Sequence, residues 1–135
     1  MTRYLPLTYA PKIPKVLAGE CTQTIRPGHG KLVGEFIAFH GWEGKPYRSK
    51  WSFRTPYWRL TEVIDIEVFW DGIACDDHGL QPWCELDDLA RRDGIDPPTG
   101  AGLKAVFKQM YGRLGCCGFD MQILRWDPTT AGGSP

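Results

Sequence analysis

Trp58–Trp70 reads WRLTEVIDIEVFW, an alternation that decides how the rest of the chain is to be placed. Leu60, Glu62, Ile64, Ile66, Val68 and Trp70 fall on one side, and Arg59, Thr61, Val63, Asp65, Glu67 and Phe69 on the other. A period of two over this length predicts a strand with one buried face rather than a helix. Upstream, Trp51–Phe53 is a short strand before Thr55-Pro56, and Trp42–Lys50, with Gly44 and Pro46, is a loop. Lys31–Gly41, KLVGEFIAFHG, is a strand in which Gly34 suggests a bulge or a close backbone approach. Pro27-Gly28-His29-Gly30 is a turn after a strand at Thr22–Arg26. Ile13, Val16 and Leu17 mark a short helix over Lys12–Ala18, with Pro14 in its first turn and Gly19 as its stop. Residues 4–9, YLPLTY, form an edge strand that tolerates Pro6.

Downstream, Asp71–Gly79 reads as an acidic loop. Pro82 opens a helix carrying Trp83, Leu86, Leu89 and Ala90, which Gly94 ends. Pro97-Pro98-Thr99-Gly100 leads into a second helix with a Leu103, Val106, Phe107 and Met110 stripe, stopped at Gly112. Residues 118–126, GFDMQILRW, make a last strand, and residues 128–135 a frayed tail. Strands and helices segregate along the chain, so the expected class is α+β. A single domain over residues 1–127 is expected, a small β-barrel of five to six strands flanked by about three short helices.

The 135 residues suit one domain, and 42% hydrophobic with 24% charged content excludes a disordered or collagen-like chain. No apolar run approaches the roughly 18–20 residues of a membrane span. MTRYLPLTYAPKIPK lacks the apolar core of a signal peptide, so a cytoplasmic address with reduced thiols is expected, and a monomer is the default. The zero net charge hides an asymmetry: residues 26–59 carry +5 and residues 60–100 carry −9. That excludes a uniformly basic nucleic-acid binder and leaves open a basic face with an acidic back.

Within the basic part, Trp42, Tyr47, Trp51, Phe53, Tyr57 and Trp58 interleave with Lys45, Arg48, Lys50, Arg54 and Arg59. Cations meet phosphates and rings stack on unpaired bases, so this mixture fits RNA; the same rings also pack barrel cores. Trp51, Tyr57 and Trp58 are the expected stacking residues, and Phe53 the expected core residue. A third reading makes the tryptophans a protein-interaction surface. Cys75-Asp76-Asp77-His78, Cys84 and Cys116-Cys117 hold ligand types without a Cys-x-x-Cys pair, so no metal and no cofactor are expected. His29 and His40 have no serine or carboxylate at a spacing that suggests a triad.

Val16-Leu17-Ala18-Gly19-Glu20-Cys21-Thr22-Gln23-Thr24-Ile25-Arg26 resembles the signature of the ASCH domain family, whose fold is PUA-like. Gly19, Thr24 and Arg26 fit its spacing, and Cys21 stands where a lysine is usual. Leu89–Ile95 and Leu103–Tyr111 before a closing strand extend the resemblance over roughly residues 4 to 126. It implies a PUA-like barrel with a pocket beside the first helix, and RNA or a modified nucleotide as ligand. Thr22, Arg26 and Lys31 are then expected near the pocket, and Arg48, Lys50, Arg54 and Arg59 along the backbone of the nucleic acid. Some small members resemble amidohydrolases that deacetylate 4-acetylcytidine through a lysine, a threonine and a glutamate. Carried over, the threonine is Thr24, the glutamate is Asp93, and the lysine falls on Cys21. A thiolate at Cys21 could attack an amide if a cation lowered its pKa; otherwise Cys21 is a small buried residue.

Overall fold

The computed structural model describes residues 3–7, 9–28, 30–42, 50–75, 79–112 and 118–130. Among them eight strands form one sheet: β1 (Arg3–Pro6), β2 (Gln23–Pro27), β3 (Phe36–Trp42), β4 (Trp51–Arg54), β5 (Trp58–Phe69), β6 (Gly72–Cys75), β7 (Gly79–Pro82) and β8 (Phe119–Asp127). The α-helices are α1 (Ile13–Leu17), α2 (Asp87–Arg92) and α3 (Gly100–Tyr111), and 3-10 turns occupy Ala10–Lys12, Trp83–Glu85 and Pro128–Thr130. No helix among the described residues is long and apolar enough to cross a membrane.

The sheet branches around β5. It pairs antiparallel with β8 from Arg59↔Asp127 to Val68↔Phe119, and turns back into β6 through Trp70-Asp71. With β3 it pairs only at Phe36↔Arg59 and Ile37↔Trp58. Beyond those pairs β3 leaves β5 and is flanked by β4 and, in parallel, by β1. On the other side β2 pairs with β8. Among the described residues no ladder joins β1 to β2, so the sheet does not close. The mixed α+β class stands, and the barrel of five to six strands is corrected to an open sheet of eight. Side chains span the open seam in place of a ladder: the Arg26 guanidinium donates to the Pro6 carbonyl.

The single buried face expected for Trp58–Trp70 breaks at Thr61. The register with β8 shifts between Leu60 and Glu62, so Leu60 opposes Trp126 and Glu62 opposes Arg125. An extra residue in a strand reverses which face its successors occupy. Trp58, Leu60 and Val63 therefore pack with Leu7, Val16, Ile37, Phe39, Leu124 and Trp126. Ile64, Ile66 and Val68 pack on the opposite face with Met121, Ile123 and the helical residues Leu86, Ala90, Leu103 and Phe107. One strand thus serves two cores, each fully buried aliphatic side chain contributing roughly 1.5–3 kcal/mol.

Other boundaries move for local reasons. Gly34 (φ 93°) lies in a turn whose Glu35 amide returns to the Leu32 carbonyl, not in a bulge; the irregularity of β3 is at Gly41/Trp42. The acidic stretch expected as a loop contains β6, because Ile73 is buried opposite Val68. Pro82 ends β7 rather than opening a helix, and α2 begins only at Asp87. Thr99 caps α3, its hydroxyl accepting from the Gly102 amide at 3.0 Å. The tail begins as a 3-10 turn that Asp127 holds through the Thr129 amide and hydroxyl, at 2.9 and 2.6 Å.

Candidate active site at the open seam

The seam between the end of β1 and β2 is where charge is buried. Ala10–Lys12, started by Pro11, turns the chain so that the Lys12 side chain runs inward; its Nζ donates to Thr24 Oγ1 at 3.0 Å and to Asp93 Oδ2 at 3.2 Å. Asp93 is the last residue of the α2 turn, its amide bonded to the Leu89 carbonyl. Gln23 Nε2 donates to Asp93 Oδ1 at 3.2 Å and to the Leu89 carbonyl at 3.3 Å. Arg125 Nε donates to Gln23 Oε1 at 2.9 Å, completing a polar chain from β8 to Thr24. Neighbours in a strand point to opposite faces, so Gln23 and Thr24 reach the same ion pair around the edge of β2 that β8 leaves uncovered.

Gly94 (φ 72°) makes room for this arrangement. A Cβ there would stand 3.2 Å from Cys21 Sγ and 3.3 Å from Lys12 Cγ. The Lys12 stem and the Cys21 side chain thus both face the bare Cα of Gly94.

Lys12, Thr24 and Asp93 are each only 4% exposed. Burial pushes the Asp93 carboxyl above the ordinary carboxylate range, opposed by the Lys12 charge and the hydrogen bonds from Gln23 and Lys12. A carboxylate at a helix C-terminus also meets the negative end of the helix dipole. Burying an ion pair stabilises a fold little or not at all, whereas such perturbed groups in a cleft are characteristic of functional sites. Asp93 is therefore not the solvated helix-end residue that its sequence position also allowed.

The three residues line one cleft of about 40 Å³, with walls of Pro6, Leu7, Tyr9, Ile25, Arg26, Ile95, Val106, Phe107, Met110 and Tyr111. Tyr9 is fixed there by the backbone of Asp96, donating to its carbonyl and accepting from its amide, both at 3.1 Å. Arg26 is half-buried in the wall, as the strand position after the helix stop suggests.

Of the two readings of Cys21, burial fits the small packing residue: its thiol is buried and donates to the Gln23 and Arg92 carbonyls at 3.4 Å, and burial pushes its pKa up despite nearby Lys12. Cys21 is not among the residues that line the cleft. Sequence reasoning counted Lys12 only as the start of a helix. Its signal is a lysine held between Pro11 and Pro14 amid apolar neighbours, in a chain whose motif lacks its own lysine.

The basic-aromatic residues divide. Trp58 is corrected from a stacking residue to core: it is 6% exposed and lies parallel to Trp126, centroids 5.9 Å apart. Phe53 packs half-buried on the same cluster. Trp51 is 39% exposed, stacked on His40 at 4.1 Å and 5.0 Å from the Tyr4 ring, which lies 5.3 Å from Tyr57. Lys50, Arg54 and Arg59 are exposed; Lys45, Tyr47 and Arg48 lie outside the described residues. Lys31 is clamped to β8 through its backbone, its amide and carbonyl meeting the Gln122 side chain at 3.1 and 3.2 Å. Thr22 lies away from the seam, in a polar cleft with Glu62, Arg91, Arg92 and Arg125.

No group of three or more histidine, cysteine or acidic residues that could hold a metal occurs among the described residues; His29, Asp76, Asp77, His78, Cys116 and Cys117 are outside them. Compared with known protein families, curated proteins and solved structures, the chain matches none.

Proposed function

We propose that the chain is a small amidohydrolase acting on an N-acylated nucleoside of the 4-acetylcytidine kind, in an ASCH-like, PUA-like fold. The observation that carries this reading is the Lys12 amine held between Thr24 Oγ1 and Asp93 Oδ2 in one cleft. A hydroxyl within hydrogen-bond reach of a base, itself oriented by a third group, is the arrangement that activates a nucleophile.

The reaction runs in two halves. As Thr24 Oγ1 attacks the amide carbonyl carbon, its proton passes to Lys12 while Lys12 passes one of its own to Asp93, along the two hydrogen bonds that Lys12 makes. The tetrahedral intermediate expels the nucleoside amine, which takes that proton from Lys12, and the acyl group stays on Thr24 as an ester. Water then attacks the ester, giving its proton to Lys12; the acid leaves and Thr24 Oγ1 recovers a proton. Arg26 in the cleft wall stabilises negative charge developing on the carbonyl oxygen.

The test is release of cytidine from N4-acetylcytidine by the purified protein. Turnover by wild type, cut to a small residual in Thr24→Ala and reduced about 10²–10⁴-fold in Lys12→Met, is expected. Wild type without turnover, or Thr24→Ala with undiminished turnover, overturns the reading.

RNA binding is a second reading, favoured by the Tyr4–Trp51–Tyr57 ring cluster beside exposed Lys50 and Arg54. It expects a labelled single-stranded RNA to bind more weakly as salt rises, and Lys50→Glu with Arg54→Glu to flatten that slope. Unchanged affinity and slope in the double variant remove this footprint.

A further inference from the structure

We infer, resting on the amidohydrolase reading, that the substrate enters the cleft acyl end first and that the cleft selects acyl groups of acetyl size. An amide carbonyl at Thr24 has two flanks, and one of them must occupy the buried end. The cleft measures about 40 Å³. That is room for a small group rather than for a whole nucleoside. An acetyl group has three non-hydrogen atoms, whereas pockets for whole drug-sized molecules run to roughly 300–1,000 Å³. The nucleobase therefore stays at the mouth.

The chemistry of the walls agrees. Ile95 and Val106 are buried apolar residues, 2% and 7% exposed, and Phe107 lies beside them at 3%. A methyl group gains there by leaving water, while the ring nitrogens and amino group of a pyrimidine would lose their hydrogen bonds to water without replacement. At the rim, Met110 is 46% exposed and Tyr9 and Tyr111 are half-buried, giving flat and pliable surfaces for a base that remains partly solvated. The α3 wall, through Val106, is accordingly the determinant of acyl length.

The experiment compares kcat/KM for N4-acetyl-, N4-propionyl- and N4-butyrylcytidine with wild type, Val106→Ala and Ile95→Val. Only ratios within one protein are read, so a change in the folded fraction cancels; the Ile95 variant serves if Val106→Ala does not fold. Wild type is expected to lose about tenfold or more per added methylene, and either shortened side chain to recover at least one such step relative to acetyl. Equal rates for acetyl and butyryl, or ratios unmoved in both variants, overturn acyl-first entry while leaving the amidohydrolase reading in place. No turnover of any of the three removes both.

Discussion

Lys12 is the residue on which the site turns, and its removal has two separable effects. Lys12→Met leaves the Asp93 carboxyl buried without its cation, and breaking a buried pair in this way costs about 3–5 kcal/mol. Cys21 Sγ and Lys12 Cγ flank the same missing Cβ of Gly94, so a lysine at position 21 starts beside the space that shortening Lys12 vacates. The double variant Lys12→Ala/Cys21→Lys is therefore expected to regain hydrolysis that Lys12→Ala lacks, measured as cytidine release; equal inactivity of the two rejects the shared space. Asp93 makes a prediction in pH. Its folded carboxyl titrates above the unfolded value of about 3.9, so just above that pH the folded chain binds more protons than the unfolded one. Stability then falls as pH rises from there through the folded pKa. Thermal denaturation against pH should show this loss in wild type, and the wild-type-minus-Asp93→Asn difference should carry its slope.

The elements show why some of this was legible in the chain and some was not. Helix stops at Gly19, Gly94 and Gly112 all have positive φ, and the Leu103, Val106 and Phe107 stripe of α3 is buried, because these depend on local backbone and periodicity. The bulge at Thr61 has no local signature: the unbroken alternation hides it, and only pairing with β8 reveals that β5 serves two faces. The resemblance points to Thr24 and Asp93, whereas Lys12 reaches them only because the turn after β1 folds back across the seam. The junction of the Trp83–Glu85 turn with α3 is equally non-local. A Cβ on Gly100 would sit 1.5 Å from the Trp83 carbonyl oxygen, contact that only glycine permits. Gly100→Ala should cost well over the few tenths of a kcal/mol of an ordinary surface change, read in urea denaturation, whereas Thr99→Ala should cost about 1 kcal/mol as a lost cap.

At the scale of the molecule, an unclosed sheet explains where the proposed chemistry sits. A complete ladder between β1 and β2 would fill the seam with backbone hydrogen bonds. Leaving it open lets one arginine bridge it and lets a lysine, a threonine and an aspartate from three parts of the chain meet in one cleft. The exposed cations lie on β4 and the start of β5, and the aromatic cluster extends from them onto β1, whose end borders the cleft. A face that holds a nucleic-acid strand would thus lie along the same strand that walls the cleft. The most direct test of the whole account is the kcat/KM of wild type, Thr24→Ala, Lys12→Met and the Thr24→Ala/Lys12→Met double variant on N4-acetylcytidine. Residues that act as one unit lose activity together, so the double variant is predicted to be no slower than Thr24→Ala alone. Losses that multiply in the double variant, or a wild type that releases no cytidine, would contradict a Lys12–Thr24 nucleophile.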